Sequence, residues 1–288
     1  MRPVVAALLL CSCAVAQDFS KLTVEKVAGG FRFTEGPVWS PEGFLLFSDV
    51  PNSRIHRWTP GKPVEVFRED KNFGNGNALD AQGRLYTCEH TARRVVRTDK
   101  KGKVEVLAEK FDGTRLSSPN DIVVRRDGHV WFTDPAFGSQ MDVRELDFHG
   151  VFHLPPKGVL ELVAAMKTRP NGVTLAPKGH TLYVADSDAK CVRAWDVDRQ
   201  GKAANERVVI SGIPGVPDGI RTDEKGNLYV AADKLLVYSP EGKQLAKIDI
   251  PEKASNCAFG DADYQTLYIT AETSVYRVRL NVKGSIEY

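Results

Sequence analysis

Six oxygen-bearing side chains stand at one fixed interval along this chain. Glu35, Asn75, Asn120, Asn171, Asp218 and Asn256 each lie eight residues ahead of a turn landmark, respectively Gly43, Gly83, Gly128, Gly179, Gly226 and Tyr264. All six are carboxylates or amides, with no imidazole and no thiolate among them. Hard oxygen donors of this kind suit a divalent cation, calcium above all, whereas zinc sites of the usual kind draw on His and Cys. Zinc, magnesium and manganese stand as the alternatives. Taken singly, an Asn-Gly or Asp-Gly is an ordinary turn former. Six in one register, two of them switched to the acids Glu35 and Asp218, point instead to a shared site. Set around an axis, the two acids are expected to face each other across it.

The elements that must carry these residues are short strands. Runs rich in Val, Ile, Leu, Phe and Tyr alternate with turn dipeptides such as Gln82-Gly83, Asp127-Gly128 and Lys225-Gly226. The landmarks recur at roughly 40 to 50 residues, the length of one propeller blade. The fold predicted is therefore all-β, a six-bladed β-propeller with a central metal-binding channel. Each repeat begins with an inner strand carrying the polar residue, turns at the landmark and returns. Asp49, Glu89, Asp134 and Asp186 end the returning strands and are expected one layer out from the ring, Asp134 within reach of substrate. A circular array must close on itself, and Leu22 to Val27 is the candidate, paired beside Ser274 to Leu280. Weak helical periodicity occurs only near Leu160 to Lys167. The long stretch from Asp134 to Asn171 reads as a loop over the channel mouth, where functional loops gather.

Residues 1–16 read as an export signal, with Arg2 the only charge, an apolar run from Val4 to Leu10, and Ala14-Val15-Ala16 before a cut at Gln17. A lipoprotein reading competes, with a lipid anchor at Cys13. Either way the protein is expected outside the cytoplasm, in the periplasm or beyond the cell, with residues 17–288 as a single propeller domain. Nothing after residue 16 reads as membrane-spanning. Cys88, Cys191 and Cys257 are too widely spaced for a disulfide framework or a CxxC site and read as small buried hydrophobes. The net charge of +2 comes from interspersed residues without a basic stripe, which argues against nucleic acid as partner. His90, beside Glu89, could reach the channel as a proton shuttle or simply bond to backbone. Trp131, Phe132 and Phe137 could line a pocket or belong to the core.

Five ordered motifs carry a resemblance: Thr34-Glu35-Gly36-Pro37-Val38-Trp39, Ser117-Ser118-Pro119-Asn120-Asp121-Ile122, Phe132-Thr133-Asp134-Pro135, Arg169-Pro170-Asn171-Gly172-Val173 and Pro217-Asp218-Gly219-Ile220. The chain resembles the gluconolactonase/regucalcin family, over essentially all of residues 17–288. The resemblance implies a divalent ion in the channel, held by Glu35, Asn171 and Asp218, with Asn120 as a further ligand or a substrate contact. It implies hydrolysis of a small, sugar-derived or similar lactone, with Asp218 as general base or nucleophile. Asn75, Asn120, His90, Asp134 and Asn256 then form the expected substrate-binding set. A phosphotriesterase or arylesterase, and a non-catalytic calcium-stabilised binding propeller, are the alternatives. One departure matters: regucalcin-like members carry an Arg two residues before the Asn, where this chain has Ser118, so their sugar-acid specificity does not transfer.

Overall fold

The structure is a computed structural model that describes residues 18–69 and 71–286. The export signal, its cut at Gln17 and Cys13 lie outside the described residues. Six four-stranded antiparallel sheets follow one another around an axis. Blade 1 spans 34–69, blade 2 spans 74–108, blade 3 spans 122–166, blade 4 spans 170–210 and blade 5 spans 220–248. Blade 6 takes three strands from 254–279 and its outermost strand, Val24–Gly29, from the other end of the chain. That strand pairs antiparallel with Ser274–Arg279, as the sequence predicts, so the last blade keeps no unpaired inner partner.

The landmark that recurs in the sequence is one turn built six times. Its residue has a left-handed backbone in every blade, with φ from 69° to 92° at the five glycines and 55° at Tyr264. Its N–H returns to the carbonyl three residues earlier, at Ser40, Asp80, Arg125, Ala176, Asp223 and Asp261, over 2.8–3.1 Å. Glycine tolerates that conformation without strain, which explains its recurrence. In three blades the turn aspartate is also held by a tyrosine of the returning strand, through Tyr86–Asp80, Tyr229–Asp223 and Tyr268–Asp261. With the turn fixed, eight residues back along the inner strand reaches the same depth in each blade.

Packing between blades is apolar. Trp131 and Phe132 are fully buried core rather than pocket lining, while Phe137 lies on the loop after blade 3's second strand with the Arg169 guanidinium 4.6 Å from its ring centre. The segment near Leu160 is not helical. Glu161–Met166 forms the outer strand of blade 3, because the sheet edge offered by His149–Leu154 outweighs a weak local preference. Only residues 135–148, with the short 3-10 turn Gly138–Met141, remain of the predicted mouth loop. Cys88, Cys191 and Cys257 are free and buried. Burial holds the Cys88 thiol well above its ordinary range and pushes that of Cys257 up to about 12, so neither is a ready thiolate.

Near the axis the backbones of adjacent blades meet through glycine. A Cβ on Gly36 would lie 2.0 Å from the Asn75 carbonyl oxygen, and one on Gly172 would lie 2.4 Å from that of Asp218. Gly36 also has φ of 51°, which penalises a side chain independently. Gly36→Ala and Gly172→Ala are therefore expected to destabilise the fold by about 2 kcal/mol or more. Urea unfolding monitored by tryptophan fluorescence measures this, with Gly61→Ala, where φ is 77° but no atom lies near the Cβ, as the control for backbone strain without a clash.

Candidate functional site

The six register residues form the inner wall of the channel at one level. Glu35, Asn75, Asn120 and Asn171 keep between 5% and 8% of their surface exposed. Asp218 is more accessible and Asn256 almost wholly covered. Interruptions of the strand pairing put them there. The register between first and second strands slips at Glu35/Val38, Gly74/Asn77, Pro170/Val173 and Ala254/Asn256. At these bulges the backbone turns from its own blade to the next: Gly76 N donates to Asn120 O at 2.8 Å, Gly172 N to Asp218 O at 3.1 Å, and Gly219 N to Ser255 O at 2.7 Å.

A belt of hydroxyls completes the wall. Ser48 Oγ donates to Asn75 O, Thr133 Oγ1 to Asn171 O, Ser187 Oγ to Pro217 O and Ser255 Oγ to Thr34 O, all over 2.6–2.7 Å. Each bond runs from one blade to the carbonyl at or beside the next ring residue. Buried carbonyls need such donors, and the belt supplies them without using any ring side chain.

The ring side chains are oriented individually. Glu35 Oε2 accepts from Gly36 N at 2.7 Å and from Asn256 Nδ2 at 3.1 Å, while Asn256 Oδ1 accepts from Cys257 N at 2.9 Å. Both ends of the Asn256 amide are thereby engaged, and its task is to hold Glu35. Asn171 Nδ2 donates to Ser187 Oγ at 3.1 Å, and the Asn171 side chain also bonds Asp218. Glu35 and Asp218 do not face each other across the axis. They stand on blades 1 and 5 with blade 6 between them, and the Cα of Gly219 packs against the Asn256 side chain. The acids thus share one side of the channel.

That proximity has an electrostatic signature. Burial, reinforced by the charge of Asp121, pushes the Glu35 carboxyl up to about 7. Burial and then Glu35 itself hold Asp218 well above the carboxylate range. Burial and like charge outweigh the opposing charges of Arg221 at Glu35 and of Lys253 at Asp218, so neither acid is fully compensated. Among the described residues no three His, Cys, Asp or Glu side chains gather as a metal site. The ring differs in kind, with two carboxylates beside amide oxygens, the donor set that fits a hard divalent cation.

Other predicted site residues have different places. Asp134 does not reach the channel: it is fully buried, and its two oxygens accept from Ser117 N at 2.7 Å and Ser118 N at 2.6 Å. It clasps the segment leading to Asn120. Asp49 likewise accepts from the backbone of Arg32 and Phe33, Glu89 pairs with Arg68 and Arg94, and Asp186 takes Thr168, Ala189 N and Arg193. These acids hold loops because the returning strand ends where the next connection must be tied down. The backbone of His90 bonds to Phe73 O, and burial pushes its ring down to about 4, leaving it neutral near pH 7 with Nδ1 covered and unpartnered. Ser118 is fully buried with its hydroxyl also unpartnered.

Asp121 is the site residue that the register alone does not single out. It follows Asn120 where four other ring residues are followed by glycine, and that exception was its signal. It is 1% exposed and pairs with Arg221 at 3.1 Å.

A six-bladed propeller with an acidic amide-lined channel is the class that fold and site define. The chain belongs to the SMP-30/Gluconolactonase/LRE-like family, whose model matches residues 33–273. A gluconolactonase of Zymomonas mobilis is 32% identical, the match covering 91% of this chain and 82% of that one. A pentonolactonase of Haloferax volcanii is 28% identical, over 86% of this chain and 85% of the other. The solved structure of a gluconolactonase from Xanthomonas campestris superposes with a TM-score of 0.84 at 34% identity, covering 90% of this chain and 89% of its own. Among the described residues no helix is long and apolar enough to cross a membrane.

The raised acids set a pH dependence. A carboxyl that rises from 4.5 unfolded to about 7 folded retains a proton that the unfolded chain gives up, so its contribution is present below pH 4.5 and lost as pH climbs to 7. In chelator, the wild-type Tm is expected to fall from pH 5 to 7. Glu35→Gln should flatten part of that slope, leaving the shares due to Asp218, held well above the carboxylate range, and to Asp134, also raised to about 7.

Proposed function

We propose that the protein is a calcium-dependent lactonase that opens a small sugar-derived or similar lactone to its hydroxy acid. The observation that carries this reading is the pair of carboxylates, Glu35 and Asp218, both raised and set on one side of the channel among amide oxygens. Relatives named as lactonases, at 28% to 34% identity over most of the chain, support the reaction class. Glu35, Asn171 and Asp218 would hold the cation, with Asn120 beside them. Calcium, when bound, would polarise the lactone carbonyl and stabilise the negative charge that develops on its oxygen.

The remaining chemistry falls to the chain. Asp218, the most accessible of the two ring acids, takes the proton of the attacking water or attacks the carbonyl carbon itself. Addition at that carbon is followed by cleavage of the ring C–O bond, and the alkoxide takes the proton that Asp218 received from water. Where Asp218 is itself the nucleophile, the alkoxide takes a proton from solvent. Water then hydrolyses the mixed anhydride, releasing the hydroxy acid and freeing Asp218. Asn171 orients Asp218 through their hydrogen bond. Asn256 donates to Glu35, which favours its ionised form against the burial that raises it. Asn75 and Asn120 line the wall where the substrate's hydroxyls or water would bond. Ser118 brings no charge beside Asn120, so recognition of the sugar rests on neutral groups rather than on an arginine. An exported leader would set the reaction in the periplasm or outside the cell.

Chelation is expected to abolish hydrolysis of glucono-1,5-lactone and pentonolactones, and added calcium to restore it. Asp218→Asn should lower kcat by about a thousandfold or more with the circular dichroism spectrum unchanged. Full-rate hydrolysis by a chelated, metal-free sample would sink the proposal. Calcium-dependent melting without turnover on lactones, aryl esters or phosphotriesters would identify a binding propeller instead.

A further inference from the structure

We infer that the Asp121–Arg221 pair beneath the ring sets the strength with which the channel holds its cation, acting as a fixed dipole whose negative end faces the ring. The inference rests on the cation reading proposed above and adds two residues to it.

The pair is built into the wall at three blades. Asp121 Oδ2 accepts from Val173 N and from Arg221 Nη1, each at 3.1 Å. Arg221 Nη1 also donates to Ile220 O at 2.6 Å and Val173 O at 3.4 Å. Asp121 directly follows Asn120, Val173 lies two residues past Asn171, and Arg221 three past Asp218. One ion pair therefore ties together the strands that present three of the proposed ligands. Its burial, with Asp121 at 1% and the Arg221 side chain at 17% exposure, is not explained by stability. A buried pair rarely outperforms an apolar pair of similar volume, and the equivalent place beside four other ring residues is simply glycine.

Polarity of the pair supplies the explanation. The carboxylate is one residue from the ring and the guanidinium farther along a neighbouring strand. At Glu35 the negative charge of Asp121 outweighs the positive charge of Arg221, and Asp121 acts on Asp218 as well. Around a bound divalent ion the two ring carboxylates would both be ionised and supply two negative charges. The dipole deepens that potential for a divalent ion without adding net charge to the chain. Low-dielectric surroundings make such an arrangement effective over several ångströms.

The two halves of the pair therefore act on cation binding with opposite sign. Calcium titration of the metal-free chain by calorimetry, with circular dichroism and urea unfolding on each variant, tests this. Asp121→Asn, which keeps an oxygen for Val173 N, is expected to weaken calcium binding about tenfold. Arg221→Gln should tighten it several-fold, Arg221→Lys should leave it near wild type, and the double variant Asp121→Asn/Arg221→Gln should return close to wild type. Equal weakening by both single variants, in step with lost stability, would make the pair a structural brace and overturn the inference while leaving the cation reading intact. No calcium binding by the wild-type chain would overturn both.

Discussion

The distance between neighbouring blades at the axis governs everything else in this molecule. Backbone meets backbone there, with Gly36 against Asn75, Gly76 against Asn120 and Gly172 against Asp218, while Gly219 lies against the Asn256 side chain. A side chain at these points would push the blades apart, widen the channel and separate the ring oxygens. Close approach lets each ring residue pass its backbone bonds to the next blade while its side chain stays turned to the axis. The hydroxyl belt of Ser48, Thr133, Ser187 and Ser255 is possible only at that spacing. Site geometry and ring closure are one constraint seen from two sides.

Charge is placed by the same logic. Two blades offer acids, and those blades flank the one whose asparagine is wholly committed to holding Glu35. A dry pair of carboxylates is costly to a fold in isolation, and the fold tolerates it where a cation would be neutralised by it. Other acids near the channel mouth, Asp49, Glu89, Asp134 and Asp186, are each matched by N–H donors or arginines and carry the connections instead. Those acids are tied to named donors, whereas the two ring acids are only partly offset, by Arg221 and Lys253.

Much of this was legible in the chain. The eight-residue interval works because the turn at each landmark has one left-handed residue and one closing hydrogen bond, so counting along the strand is counting in depth. Closure by the segment near Val24 followed from the need to cover an edge. Less legible were matters decided by partners distant in sequence. Asp134 sits on a strand end like a channel residue, yet its fate was set by the amides of Ser117 and Ser118. Strand formation by Glu161–Met166 was decided by the edge beside it, against a local helical pattern. The relative placing of the two acids depended on counting blades, since sites on blades 1 and 5 of six cannot be opposite. That the His90 ring is neutral near pH 7 follows from desolvation, which no spacing rule reports.

The seam in blade 6 has a consequence for the order in which the site comes into being. Glu35 and its anchor Asn256 are 221 residues apart in sequence, and Val24–Gly29 joins Ser274–Arg279 across a similar span. Blades 1 to 5 can form from contacts local to each, as in other repeat arrays. The acidic side of the channel cannot, because it requires the two ends of the chain to have met. Loop closure of that length is slow compared with hairpin formation. The acidic side of the channel is consequently completed last, when the blades already fixed can bear the crowding of its two carboxylates.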